Sequence, residues 1–316
     1  MSETPIQFGR DHRLYGILTE PTGNVRRQIG VIFLNAGVVH HVGPHRAYVK
    51  LARHVATMGI PALRFDFSGI GDSRRSDDGA SFEDQTIRDA RSAMDIFERL
   101  TGVRRFILVG ICSGANNAFT VAQRDARVDG LLLIDGHAYP TARTLIERMR
   151  QRFQYDARRA ATTRLRRYLH RLLHWSEHRS TSTASNQSAQ PLGFVNRPSR
   201  KLYAQQMQAL VDRGVQIHLV YSGSILEAYS YADQFSERFR KEAFLGRVQC
   251  TYDPGIDHTL TTLDAQQRLF SLATTWLGEW PEPVINAVSP RPSKAAMRPE
   301  RAPTEQQHPQ HDWHPA

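Results

Sequence analysis

Gly110-Ile111-Cys112-Ser113-Gly114 sets a thiol midway between two glycines, each two residues away. The apolar run Phe106 to Val109 leads into it, and a helical pattern from Ala115 to about Arg124 follows. A nucleophile on a sharp strand-to-helix turn needs small residues at both flanks, because side chains there would strike the neighbouring strand and helix. The turn lifts the central side chain above the sheet edge, and the helix N-terminus below it offers oriented N–H groups. Centring the motif on Ser113 would make Ile111 one of the small residues, so Cys112 is the expected nucleophile. A helix N-terminus and a histidine both favour a thiolate. The chemistry implied is acyl transfer through an acyl-cysteine, with the Ser113 N–H aimed at the developing oxyanion.

Such a thiol needs a base, and His258 occupies the loop Asp253-Pro254-Gly255-Ile256-Asp257-His258 between a strand pattern ending at Tyr252 and the last helix. A loop histidine there is the expected general base, and the order nucleophile, acid, histidine agrees with it. Asp257 is adjacent and faces away. The orienting acid is sought after the strand Val215 to Tyr221, where Glu227 is nearest and long enough to reach an imidazole. Asp233, Asp135 in Ile134-Asp135-Gly136-His137, or a dyad with no acid remain open alternatives. The second oxyanion donor is expected in Asn35-Ala36-Gly37-Val38, at the N–H of Gly37 or Val38. The next residues, Val39-His40-His41-Val42-Gly43-Pro44-His45-Arg46, are rich in imidazole. Adjacent histidines point apart and no Cys or carboxylate stands at ligand spacing, so no metal is expected, and no cofactor.

The elements that must hold these groups alternate through the first 135 residues. Arg13 to Leu18, Ile29 to Leu34, Ile60 to Phe67, Phe106 to Val109 and Gly130 to Ile134 read as strands. Between them, Tyr48, Leu51, Ala52 and Val55 recur at helical spacing up to Gly59, and Ser81 with Asp84 opens a helix to about Leu100. Strands separated by helices predict right-handed crossovers and a mainly parallel α/β sheet with helices on both faces. Strand patterns return at Val215 to Tyr221 and Val248 to Tyr252, and a helix from about Ala265 to Leu277 closes the core. The core is therefore expected at 1–140 and 211–280. A basic helical insertion is expected at 141–210 with a flexible polar loop at 180–190, and a disordered tail at 281–316.

The net charge of +10 is concentrated. Between Arg143 and Lys201 stand fourteen Arg and Lys against three acids, Glu147, Asp156 and Glu177. A solvated helix face is one reading; a landing surface for an anionic carrier or coenzyme A thioester is the other. No nucleic-acid motif accompanies the charge, so no nucleic-acid partner is expected. No apolar run is long enough to span a bilayer, no secretory layout opens the chain, and two cysteines make no disulfide framework; a cytoplasmic setting is expected.

Over about residues 10–138 and 212–278 the chain resembles the α/β-hydrolase superfamily. The likeness rests on the Cys112 elbow, on the strand-four turn Leu63-Arg64-Phe65-Asp66-Phe67-Ser68-Gly69-Ile70-Gly71-Asp72-Ser73, and on Asn35-Ala36-Gly37 with Val42-Gly43-Pro44-His45-Arg46. More narrowly it looks like the hydrolases associated with exosortase and exopolysaccharide loci. Its Cys elbow is similar to those of dienelactone hydrolases and polyester synthases. The resemblance implies the α/β-hydrolase fold, hydrolysis of a small-molecule ester or thioester, and a substrate-gating lid at 141–210. The pattern departs near Ile225, where an Asp is usual. Two rivals remain: an acyltransferase using the same Cys–His pair with a carrier or coenzyme A donor, and a non-catalytic binding member of the fold.

Overall fold

Every side chain of Ile29–Leu34 is buried, which a strand with one solvated face would not allow. In the computed structural model this run is β4, near the middle of an eight-stranded sheet. Residues 1–23, 25–147, 149–150, 197–226, 228–281 and 285–286 are described. The other strands are β1 (Ser2–Phe8), β2 (Leu14–Glu20), β5 (Ala62–Phe65), β6 (Arg105–Ile111), β7 (Val128–Ile134), β8 (Gln216–Ser222) and β9 (Val248–Asp253). Their order is β1-β2-β5-β4-β6-β7-β8-β9. β1 pairs antiparallel with β2 and β2 antiparallel with β5, while the six strands from β5 to β9 pair in parallel, as the alternating pattern predicts.

Both faces of the sheet are covered. Along β6, Phe106 and Leu108 enter one apolar core while Ile107 and Val109 enter the other, the two-residue alternation of a strand buried on both sides. The first core is closed by α2 (Phe82–Thr101), α3 (Ser113–Arg124) and α4 (Arg200–Asp212), through Met94, Phe97, Phe119, Tyr203 and Met207. The second is closed by α1 (Ala47–Thr57) and a C-terminal helix, Leu263–Gly278, through Tyr48, Leu51, Val55, Leu269 and Trp276. Each such fully buried side chain contributes about 1.5–3 kcal/mol. The local signals act as expected: the Ser81 hydroxyl accepts from the Asp84 N–H, Gly102 at φ 78° ends α2, and Gly59 at φ 81° follows α1.

Three boundaries differ from the expectation. β1 was not foreseen, because only Ile6 and Phe8 of its seven residues are buried. α4 falls inside the span assigned to the insertion, yet Tyr203, Met207, Leu210 and Val211 are buried in the core, so the core resumes near Ser199. At the other end Trp280 is buried, and Ile285–Asn286 pairs antiparallel with Val25–Arg26 (strands β10 and β3), so order continues past 281. The remainder of the insertion, 151–196 with the loop 180–190, and the tail 287–316 lie outside the described residues. Among the described residues no helix is long and apolar enough to cross a membrane.

Candidate active site

The register of the central strands sets the site. Ile111 pairs with Ile134, and Ile134 with Val220, so the residues that follow, Cys112 and Asp135, stand level at the carboxyl edge of adjacent strands. The Cys112 N–H donates to the Ile134 carbonyl at 2.8 Å, and the Asp135 N–H to the Val220 carbonyl at 2.8 Å. Both residues have positive φ: Cys112 at φ 58°, ψ −120°, and Asp135 at φ 50°. A non-glycine residue held there costs about 1–3 kcal/mol and persists only where its surroundings over-determine it.

At the elbow those surroundings are plain. A Cβ on Gly110 would lie 2.2 Å from the carbonyl of Gly114, and one on Gly114 would lie 2.6 Å from the Asn35 oxygen. Strand, helix and the loop after β4 thus meet at backbone distance, which only glycine permits. Tyr48, wholly buried on α1, braces the same corner: its hydroxyl donates to Leu34 O and accepts from the Ile111 N–H, both at 3.0 Å. Cys112 is left half-buried at the head of α3, where the N–H groups of the first turn have no intrahelical acceptor.

His258 reaches Cys112 from the loop after β9. Its Nδ1 lies 2.8 Å from Asp135 Oδ2, and the Cys112 side chain is the next strongest influence on the ring. The Asp135 carboxylate is wholly buried. Its Oδ1 accepts from the Ser222 N–H and its Oδ2 from the Ser222 hydroxyl, both at 2.7 Å. The hydrogen bond to Asp135, then that to Cys112, raise His258 to about 10 against the opposing effect of burial. The carboxylate thus favours a protonated ring, with an N–H on Nδ1. The loop that carries it is pinned by Asp257, whose carboxylate accepts from the N–H groups of Thr259 and Thr261. The Gly223 N–H, donating to Ile256 O at 2.9 Å, ties that loop to the end of β8.

Asp135 thus holds the position in which Glu227 was expected. Glu227 lies outside the described residues, and Asp233 is exposed at the N-cap of α5 (Gln234–Phe239). The signal for Asp135 was a single acid closing the apolar strand Leu131-Leu132-Leu133-Ile134, since a carboxylate at the carboxyl edge of a buried parallel strand has little reason to be there except for chemistry. The expected oxyanion donors differ in their hydrogen bonding. The Gly37 N–H donates to the Ser113 hydroxyl at 2.8 Å and is already used. The N–H groups of Val38 and Ser113 make no hydrogen bond with any described residue. Outside the triad, burial pushes the Cys250 thiol up to about 11, with a partly opposing hydrogen bond to Tyr229.

Comparison with known proteins identifies the fold. The family profile described as alpha/beta hydrolase fold matches residues 31–214, more than half of the chain. No curated protein matches the sequence. Among solved structures, an alpha-beta serine hydrolase homologue from Coxiella burnetii is 14% identical, with 87% of this chain and 97% of that one covered at a TM-score of 0.52. An a/b serine hydrolase without lid from Xanthomonas campestris is 13% identical, covering 89% and 95% at 0.51. A Pyrococcus furiosus esterase is 11% identical, covering 88% and 91% at 0.55. At such identities the likeness is one of fold.

Proposed function

We propose, from the premise that this chain belongs to the α/β-hydrolase family, that it hydrolyses esters or thioesters through a covalent acyl-cysteine. The observation that carries the proposal is His258, bonded to the buried Asp135 and perturbed next most strongly by Cys112, with Cys112 at φ 58° on the elbow. The relatives above are serine hydrolases or an esterase; this chain has a thiol at the elbow and a histidine bonded to a buried carboxylate.

In the first half-reaction the Cys112 sulfur, as thiolate, attacks the acyl carbon, and the carbonyl oxygen gathers negative charge toward the N–H groups of Val38 and Ser113. As the intermediate collapses, the bond to the leaving alkoxide or thiolate breaks, and His258 gives that group its proton. His258, now neutral and held by Asp135, then takes a proton from water as the water attacks the acyl-cysteine. Collapse expels the carboxylic acid and restores the thiolate–imidazolium pair. Asp135 keeps Nδ1–H fixed throughout, so that the other ring nitrogen is always the one that moves the proton.

The test is a p-nitrophenyl acetate burst with intact-protein mass spectrometry. One equivalent of p-nitrophenol released per chain, with a 42 Da adduct on the Cys112 peptide, is expected from acetyl chemistry. Cys112→Ala should abolish both while keeping its fold by circular dichroism. Turnover unchanged in Cys112→Ala would refute the proposal.

A further inference from the structure

The imidazole-rich loop after β4 holds a second buried His–carboxylate pair that the acyl-transfer steps do not use. Asp66, wholly buried just after β5, accepts four hydrogen bonds. Its Oδ1 receives the Asn35 Nδ2 at 2.8 Å and the His41 N–H at 2.6 Å; its Oδ2 lies 2.8 Å from His41 Nδ1 and receives the Asp72 N–H at 3.1 Å. Burial works to raise this carboxyl, but the hydrogen bonds from His41, Asp72 and Asn35 outweigh it and hold it below its usual range. Gly71, at φ 52°, closes the cage: a Cβ there would lie 2.3 Å from Asp66 Oδ2. Asn35 spends its amide in two directions, Nδ2 also donating to Val39 O at 3.0 Å and Oδ1 accepting from the Phe67 N–H at 2.9 Å.

A cation is a poor occupant for this cluster. His41, Asp66 and Asp72 do bring donor atoms within 4.8 Å of one another. Both Asp66 oxygens are filled by N–H donors, though, and His41 Nδ1 is turned to Asp66. A metal would have to displace donors that already neutralise the buried charge.

What the cluster does hold is the chain on either side of Val38. On one side Asn35 and Asp66 grip Val39 and His41; on the other the Gly37 N–H is fastened to the Ser113 hydroxyl beside the nucleophile. Between them Ala36 O accepts from the Val39 N–H at 3.1 Å, closing a tight turn with Gly37 at φ 61°. The Val38 side chain is 75% exposed, so packing does not locate it; its N–H is aimed by the bonds to its neighbours alone.

We propose that Asp66, acting through Asn35 and His41, is a positioning residue that aims the Val38 N–H at the oxyanion of the acyl-transfer step. It rests on the acyl-cysteine reading above and touches no substrate. An oxyanion donor is worth 10²–10³ in rate when removed outright, so a donor left in place but loosely aimed should lose about 10- to 100-fold.

Two reactions of the same sulfur separate this role from general damage. Acylation by p-nitrophenyl acetate passes through an oxyanion; alkylation by iodoacetamide is a displacement at saturated carbon and develops none. Asp66→Asn and His41→Ala should lose at least about 10-fold in the burst rate, with Cys112 alkylation within twofold of wild type. His41→Asn, whose amide nitrogen can replace Nδ1 as donor, should recover most of the loss. Should Asp66→Asn fail to fold, His41→Ala against His41→Asn decides. Equal loss of acylation and alkylation, or no loss of acylation, overturns the positioning role. A wild-type protein that is alkylated at Cys112 but shows no burst overturns the acyl-transfer reading, and this inference with it.

Discussion

Asp135→Asn is the substitution that weighs most on the mechanism, because it changes one atom of the buried acid and nothing of its shape. The Ser222 N–H needs an acceptor at Oδ1, so the new amide must keep its oxygen there and turn its NH2 toward the Ser222 hydroxyl and His258. The hydroxyl can rotate to accept. His258 Nδ1 can accept only by giving up its proton, which moves the hydrogen to the nitrogen facing Cys112 and leaves the wrong tautomer for proton transfer. Raising a histidine from 6.5 to about 10 corresponds, taken whole, to roughly 5 kcal/mol. Cys112 shares in it and a third of the ring is open to solvent, which leaves about 2 kcal/mol for Asp135. Because the folded value is the higher one, this stabilisation is complete below about pH 6.5 and is lost as pH rises through about 10. The variant should therefore lose kcat by about 10²–10³-fold, somewhat less than a hydroxyl nucleophile would, since a thiol needs less activation. Its His258, followed by long-range 1H–15N NMR, should titrate well below the wild-type value of about 10, and its urea-unfolding stability should no longer decline between pH 7 and 10. A variant whose His258 still titrates above pH 9, or whose kcat stays within threefold of wild type, would refute the assignment of Asp135 as the orienting acid.

Two further outcomes follow from the same geometry. With Cys250 pushed up to about 11, iodoacetamide at pH 7.5 should reach it about 100-fold more slowly than an unperturbed thiol, so peptide mapping should find Cys112 labelled first; equal labelling of the two would count against an activated Cys112. Gly110→Ala sets a methyl 2.2 Å from the Gly114 carbonyl, and urea denaturation should register a loss of about 3 kcal/mol.

Much of this site was legible in the residues because its constraints are local. Gly110 and Gly114 flank Cys112 for a steric reason that spacing alone reports, and the strand before and helix after are periodic patterns. The acid was not legible in the same way. Choosing among Asp135, Asp233 and Glu227 requires the register of β6 against β7 and the reach of the loop after β9, and both are long-range facts. The loss of Gly37 as an oxyanion donor was less visible still, since it depends on which way the Ser113 hydroxyl turns. α4 could have been separated from the basic insertion. Tyr203, Met207, Leu210 and Val211 fall at i, i+4, i+7 and i+8, a buried helical stripe that the surrounding charge obscured. β1 carried no such signal, being held by pairing with β2 rather than by burial.

The distribution of strain suits the proposed acid on β7. Cys112 and Asp135 both have positive φ, and each is bonded through its own N–H to the carbonyl of the next strand, Cys112 to Ile134 and Asp135 to Val220. Cys112 and Asp135, the proposed nucleophile and acid, are thus successive steps of one hydrogen-bonded edge, and their separation is set by strand spacing rather than by a loop. Ser222, at the end of β8, continues the same edge by holding both oxygens of Asp135. Only His258 arrives on a loop, and the sole freedom left to the triad is the swing of its ring. A carboxylate supplied by the loop after β8 would have added a second mobile partner to the one histidine. With the proposed acid at the end of a sheet strand, the loop 254–262 carries the one triad member that is not on the sheet edge, and the bonds from Gly223 to Ile256 and from Thr261 to Asp257 restrain that loop on both sides of His258.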